Sequence, residues 1–334
     1  MDVSLAAGSP ARSRRRVTWT FLWLGALGAF ATFALTARAA ELQTFALVLE
    51  SIVIEALPFI LLGSLVSAGL SLFVPGRLFE WIGRLPLRAQ VPAVALGGFA
   101  FPVCECASVP VAKQLIRRGV HPSAGIAFML AAPVVNPIVL LTTAIAFSGR
   151  GFAVQMVIAR ACLGLATAIT VGFASGGADP QTVLRAADRH EHDHDQEGTL
   201  AVRAGAALQH AVSDFFSMGR MIVFGATLAA LFQIAVSQST VSSAARIPTL
   251  AILAMMGLAF ALSLCSEADA FVAASFVGFP LAAQLAFLTF GPVADFKLAL
   301  LYGGTFRRDV VLRIVFVAAC VVTLGSTAFW WFVR

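Results

Sequence analysis

Apolar residues run in long blocks along this chain instead of alternating with polar ones. Blocks at about 17–36, 43–73, 90–116, 122–147, 151–175, 205–236, 248–277, 280–304 and 310–333 contain few charges. A stretch of about 20 apolar residues spans a hydrocarbon core as a helix, because backbone polar groups there must be satisfied internally. The pattern predicts an all-α, polytopic protein crossing a membrane several times. The markedly polar stretch is 176–204, rich in Gly, Asp and His, with four blocks after it and, beyond the first block at 17–36, four before it. The predicted organisation is therefore a basic N-terminus with a first transmembrane helix (1–42), a membrane repeat (43–175), a polar linker (176–204) and a second membrane repeat (205–334).

Arg12, Arg14, Arg15 and Arg16 precede the first block, and Ala37-Arg38-Ala39 after it resembles a signal-peptidase site. The block is longer than a signal-peptide core, so an uncleaved first helix is expected.

The two sets of four look like copies. Gly63 in Phe59-Ile60-Leu61-Leu62-Gly63 matches Gly225 in Met221-Ile222-Val223-Phe224-Gly225, and Cys104 matches Cys265. Phe128 with Pro133-Val134 matches Phe287 with Pro292-Val293, which brings Asn136 onto Asp295 and Cys162 onto Cys320. Ordered matches of this kind point to an internal duplication, a frequent transporter design. If 90–116 and 248–277 each leave by the face they enter, each repeat crosses three times and the second copy is inverted. That arrangement also gathers most Lys and Arg on the inner face, including Lys113, Arg117 and Arg118, which nine full crossings would put outside. The reading is two homologous, inverted four-segment repeats with broken or re-entrant helices, and a linker facing the cytoplasm.

Composition agrees with this class: 59% hydrophobic and 12% charged residues, with mean hydropathy +0.90 over 334 residues. The excess of Lys+Arg (23) over Asp+Glu (17) lies mostly at the ends of apolar blocks, where it orients the chain, so a nucleic-acid partner is not expected. Five cysteines all fall within apolar blocks, so no disulfide framework is expected.

Candidate chemistry sits at membrane depth, where ionisable groups mark function by default. Cys104-Glu105-Cys106 lies between Pro102 and Pro110, and Cys265-Ser266-Glu267-Ala268-Asp269 is its counterpart. Thiolates are soft ligands selecting thiophilic metals or metalloids, and they bind only when deprotonated. Cys104, Cys106 and Cys265 are the expected metal ligands, with Glu105, Glu267 and Asp269 assisting. Asn136 and Asp295, beside proline-marked interruptions, could add oxygens. Cys162 and Cys320 have no polar neighbours and read as packing residues. Glu55 and Arg220 could form an interior pair or gate, Glu50 and Asp214 read as interfacial, and Lys297 as the counter-ion of Asp295. His190, His192 and His194 in the linker could capture a metal from the aqueous phase.

The runs Phe101-Pro102-Val103-Cys104-Glu105-Cys106-Ala107-Ser108-Val109-Pro110-Val111, Gly119-Val120 and Phe128 to Val139, with its Ala132-Pro133-Val134-Val135-Asn136-Pro137, resemble the bacterial permease family that includes ArsP and the YraQ and YcgR-type permeases. The resemblance covers the chain from about residue 43 onward. It implies an integral membrane permease and, in characterised branches, efflux of thiophilic metals or organoarsenicals. The Glu between the cysteines and the His/Asp linker are closer to YcgR-like or Cu/Zn-type members.

The expected function is export of a thiophilic metal or metalloid ion, or its organic form, through a midplane Cys/acidic site. No enzymatic activity and no cofactor beyond the transported ion are expected. The expected partners are the bilayer, the substrate, and an accessory permease subunit or metallochaperone. No Walker-type motif occurs. Two other classes fit fewer of the residues: a membrane thiol/redox enzyme using Cys104 and Cys106, and a membrane subunit serving a metallochaperone.

Overall fold

Four of the apolar blocks fold as two helices separated by a short non-helical break, and these breaks shape the protein's interior. The computed structural model describes residues 39–73, 82–101, 103–177, 180–185, 200–235 and 248–333. The expected first helix at 17–36, Pro102 and the linker histidines His190, His192 and His194 lie outside the described residues. The described residues from Leu49 onward belong to one compact unit.

In chain order the helices before the linker are α1 (Ala39–Phe73), α2 (Leu87–Gly97), α3 (Glu105–Arg117), α4 (Pro122–Val135), α5 (Pro137–Phe147) and α6 (Ala153–Ser175). A single turn, α7 (Pro180–Val183), lies at the start of the linker region. The helices after it are α8 (Leu200–Ala235), α9 (Pro248–Leu262), α10 (Asp269–Ser275), α11 (Leu281–Phe290), α12 (Phe296–Thr305) and α13 (Arg308–Val333). No strand occurs among the described residues, and an isolated bridge joins Leu184 to Phe306.

Among the described residues, five stretches are long and apolar enough to cross a membrane: Leu42–Gly69, Pro122–Arg150, Ala153–Ser175, Ala207–Leu231 and Arg308–Val333. Pro248–Leu262 and Leu281–Phe290 are shorter apolar helices. The chain is thus an all-α, polytopic membrane protein.

Local chemistry explains each break. Pro137 disfavours the helical conformation at Asn136, which sits at φ −56°, ψ 131°. Asn136 then caps α5, its Oδ1 accepting from Ile138 N at 2.9 Å, with Pro137 at the first helical position. Asp295 does the same for α12, accepting from Leu298 N at 2.6 Å. The residue pair matched in the sequence thus performs the same local task. Between α2 and α3 the chain passes through a 3-10 turn, Gly98–Ala100, and re-enters helix at Cys104 (φ −73°, ψ 171°). Between α9 and α10, Ser263 takes φ 50°, a conformation that strains a residue with a Cβ.

The core is built around α4, every residue of which is buried, and α11, which is buried from Ala282 to Phe290. α2 and α6 pack on α4, and α9 and α13 pack on α11. The two sides join where α6 meets α13, where α3 meets α12 and where α5 meets α10. Small residues let backbones approach, as is usual between helices in lipid. A Cβ on Gly63 would lie 2.6 Å from Ala107 Cα, and one on Gly225 would lie 2.7 Å from Lys297 Cα. The outer helices present apolar residues such as Leu61, Ile158, Phe216, Leu312 and Phe316 to the surroundings, as a lipid-facing surface requires.

Candidate functional site

Three helices begin near one another in the interior, each with a carboxylate at its first turn or cap: Glu105 on α3, Asp269 on α10 and Asp295 before α12. A carboxylate is favoured there, because a helix N-terminus carries partial positive charge. Glu105, Asp269 and Asp295 are all buried, as are Cys104, Cys106, Cys265, Ser266 and Lys297. Glu267 is half-buried.

The ligand atoms of Glu105, Cys265 and Glu267 lie within 4.8 Å of one another. Cys265 Sγ donates to Glu267 Oε2 at 2.7 Å. The Ser266 hydroxyl bridges the two carboxylates, at 2.9 Å from Glu105 Oε2 and 3.3 Å from Glu267 Oε2. The other oxygen of Glu105 accepts from Lys297 Nζ at 2.8 Å, and Asp295 Oδ2 stands 3.6 Å from the same nitrogen. Lys297 thus serves Glu105 more closely than its chain neighbour Asp295. Glu55 on α1 lies within interaction range of Cys265, Lys297, Glu105 and Glu267. Glu55, Glu105 and Asp295 therefore share one lysine, with Glu267 beside Glu105, a balance that favours a further cation.

Cys104 and Cys106, at the cap and second position of α3, are close enough to interact directly, and Cys265 is within electrostatic range of Cys104. The break in the helix is what lets thiols two residues apart converge. They stand beside the Glu105, Cys265 and Glu267 set without being part of it.

Asp269 is turned away from this set. Arg160 on α6 grips it with two hydrogen bonds, NH1 to Oδ1 at 2.9 Å and NH2 to Oδ2 at 2.8 Å. The same guanidinium donates to Thr143 Oγ1 on α5 at 2.8 Å and to Ser266 O at 3.3 Å. Arg160 thereby pins the loop that presents Cys265, Ser266 and Glu267. Sequence reasoning missed it, although a lone arginine inside a 23-residue apolar helix is a signal, since such a cation demands a partner. Asn136 is buried with its Oδ1 engaged in capping α5.

Two expected roles are corrected. Glu55 and Arg220 do not form an interior pair: Arg220 is exposed and donates to Phe216 O at 3.2 Å, while Glu55 faces the cysteine and acid cluster. Cys162 and Cys320, expected to pack in the core, are instead exposed on α6 and α13. Asp214 accepts from Lys113 Nζ at 3.1 Å, joining α8 to α3.

The fold and cluster can be set beside known proteins. UPF0718 protein YcgR of Bacillus subtilis (strain 168) is 39% identical over 296 residues, covering 87% of this chain and 98% of that protein. A Streptococcus mutans serotype c protein named as a candidate two-component membrane permease complex subunit is 35% identical over 288 residues, covering 85% of this chain and 93% of its own length. No solved structure matches this chain. The family model ArsP_1, described as predicted permease, matches residues 41–330, which takes in every helix of the cluster. Together with the apolar helices and the buried ionisable cluster, that match shows that the chain is a multi-pass membrane permease of the bacterial cell membrane belonging to the ArsP_1 predicted permease family.

Proposed function

We propose that this permease exports a thiophilic metal or metalloid cation, with Glu105, Cys265 and Glu267 forming the site it occupies in transit. The observation that carries the reading is their convergence within 4.8 Å, from two helix breaks far apart in the chain. A thiol that becomes a thiolate on losing its proton, flanked by two carboxylates, combines soft and hard ligands suited to Zn(II) or a comparable thiophilic ion. Cys104 and Cys106 line the adjoining stretch and can take the ion up or pass it on. Non-helical backbone at membrane depth is tolerated where it is buried in protein or lines a path, and the breaks before α3, α10 and α12 supply the cluster and its lysine partners.

Alternating access through inverted repeats accompanies this reading. It is supported by the recurrence of one order of elements, with α1 to α6 echoed by α8 to α13, and by the crossed pairing of α3 with α12 and α5 with α10. The direction, export, rests on the family resemblance. The description of the Streptococcus mutans relative supports an accessory subunit.

The test is flux of Zn(II), Cd(II), Cu(I) and arsenite in membrane vesicles. Cys265→Ser and Glu267→Gln should abolish transport of the cargo ion with the protein still inserted, while Cys162→Ser transports normally. Full transport by both site variants would overturn the proposal. A requirement for Cys104 and Cys106 with none for the carboxylates would favour thiol/redox chemistry instead.

A further inference from the structure

Lys297 has three ammonium protons to give, and all three are engaged: Glu105 Oε1 at 2.8 Å, Ser263 O at 3.1 Å and Leu264 O at 3.3 Å. Asp295 Oδ2 is 3.6 Å from the same nitrogen and has no hydrogen-bond partner, although Asp295 is fully buried. Its other oxygen is committed to Leu298 N. A buried carboxylate oxygen without a donor destabilises the arrangement that leaves it so. A starved acceptor thus stands within an ångström of hydrogen-bond reach of a donor fully committed elsewhere. Two of that donor's three partners are carbonyls of the break that carries Cys265.

We propose that Lys297 is a tethered stand-in for the transported cation: it neutralises Glu105 in the absence of substrate, and passes to Asp295 Oδ2 when a cation takes Glu105. The inference rests on the cation-site reading above. In both arrangements the lysine keeps a carboxylate partner and Glu105 keeps a cation, which is the condition for these buried ions to be tolerated. The ammonium needs only to pivot on the two carbonyls, because its travel is short. Substrate binding is thereby linked to a change at α12, the helix that packs on both α3 and α8. Lys297 acts as a positioning residue and never touches the cargo.

The experiment uses the full chain in nanodiscs, titrated with Cd(II) and read by the ultraviolet thiolate-to-metal band, which needs no transport. Lys297→Gln removes the competitor and should tighten Cd(II) binding by about tenfold or more, while turnover in vesicles falls. Asp295→Asn keeps the oxygen that caps α12 but weakens the alternative seat, so binding should loosen by about fivefold or more. In the Lys297→Gln background the Asp295→Asn effect should vanish, because Asp295 acts only through the lysine. Unchanged or weaker Cd(II) binding by Lys297→Gln overturns the inference, as does an Asp295→Asn effect of equal size in both backgrounds. If Lys297→Gln does not insert, Asp295→Asn decides alone: looser binding supports the proposal and unchanged affinity sinks it. A wild-type band that survives Cys265→Ser would instead refute the site itself.

Discussion

Arg160 offers the sharpest test of how the interior is held. It is fully buried, and its two terminal nitrogens make four hydrogen bonds, two of them to Asp269 at 2.8 and 2.9 Å. Arg160→Met keeps the unbranched apolar stem and removes the guanidinium, leaving a buried carboxylate, the Thr143 hydroxyl and the Ser266 carbonyl to find other partners. Breaking a buried ion pair from one side costs about 3–5 kcal/mol. The lower end applies in lipid or detergent, where the unfolded chain also finds polar partners, so we expect about 3 kcal/mol. At about 1.4 kcal/mol per factor of ten, that shifts the folded-to-unfolded ratio more than about a hundredfold. The double variant Arg160→Met with Asp269→Leu removes both charges and should recover most of the loss, since Asp269 makes no side-chain cap to α10. Reversible denaturant unfolding in mixed micelles measures both. A loss below about 1 kcal/mol for the single variant, or a double variant as unstable as the sum of two singles, would refute the argument that an unpaired charge dominates.

Cys162→Ala and Cys320→Ala, on exposed faces, should leave flux within about twofold of wild type in vesicles. Gly225→Val, whose Cβ would stand 2.7 Å from Lys297 Cα, should displace α12 and lose transport, whereas Gly257→Ala, with nothing within 4 Å, should be silent in the same flux measurement. Lys113→Met should destabilise by less than Arg160→Met in the unfolding experiment, because its partner Asp214 is 19% exposed where Asp269 is 3% exposed. A protease site inserted near His192 should be cut only from the cytoplasmic side; cutting from outside in intact cells would remove the inverted arrangement and leave the permease standing.

The sequence carried most of the helical framework because apolar blocks are a direct readout of the bilayer as solvent. It also exposed the breaks, through Pro137 after Asn136 and through thiols and carboxylates set inside apolar segments. Asn136 and Asp295, matched in the sequence, each cap the helix that follows them. What stayed hidden was partnership. Glu105 and Lys297 are separated by 192 residues and Arg160 and Asp269 by 109, and no local spacing encodes such pairs. Asp269 sits in the same short motif as Cys265 and Glu267, yet helix α10 turns it toward α6 while the loop before it holds the other two at the cluster. A motif fixes proximity along the chain, and the break decides which of its side chains share a cavity.

The two buried ion pairs that join the halves differ in one respect that bears on how a permease could move. Arg160 has both terminal nitrogens satisfied by α5, α10 and the loop before it, and both oxygens of Asp269 are accepted into that grip, so separating them leaves strong charges alone with no alternative partner within the described contacts. Lys297 stands between two carboxylates, one bonded and one waiting. Exchanging one for the other conserves the number of paired charges, and the barrier is set by a short side-chain displacement. Rearrangement at low cost is therefore available around α3 and α12 and is opposed around α5, α6 and α10. The clamp and the exchange point both bear on the loop of residues 263–268, the clamp through Ser266 O and the exchange point through Ser263 O and Leu264 O. That loop carries Cys265 and Glu267, so the candidate ligands are held firmly at one end and are responsive at the other.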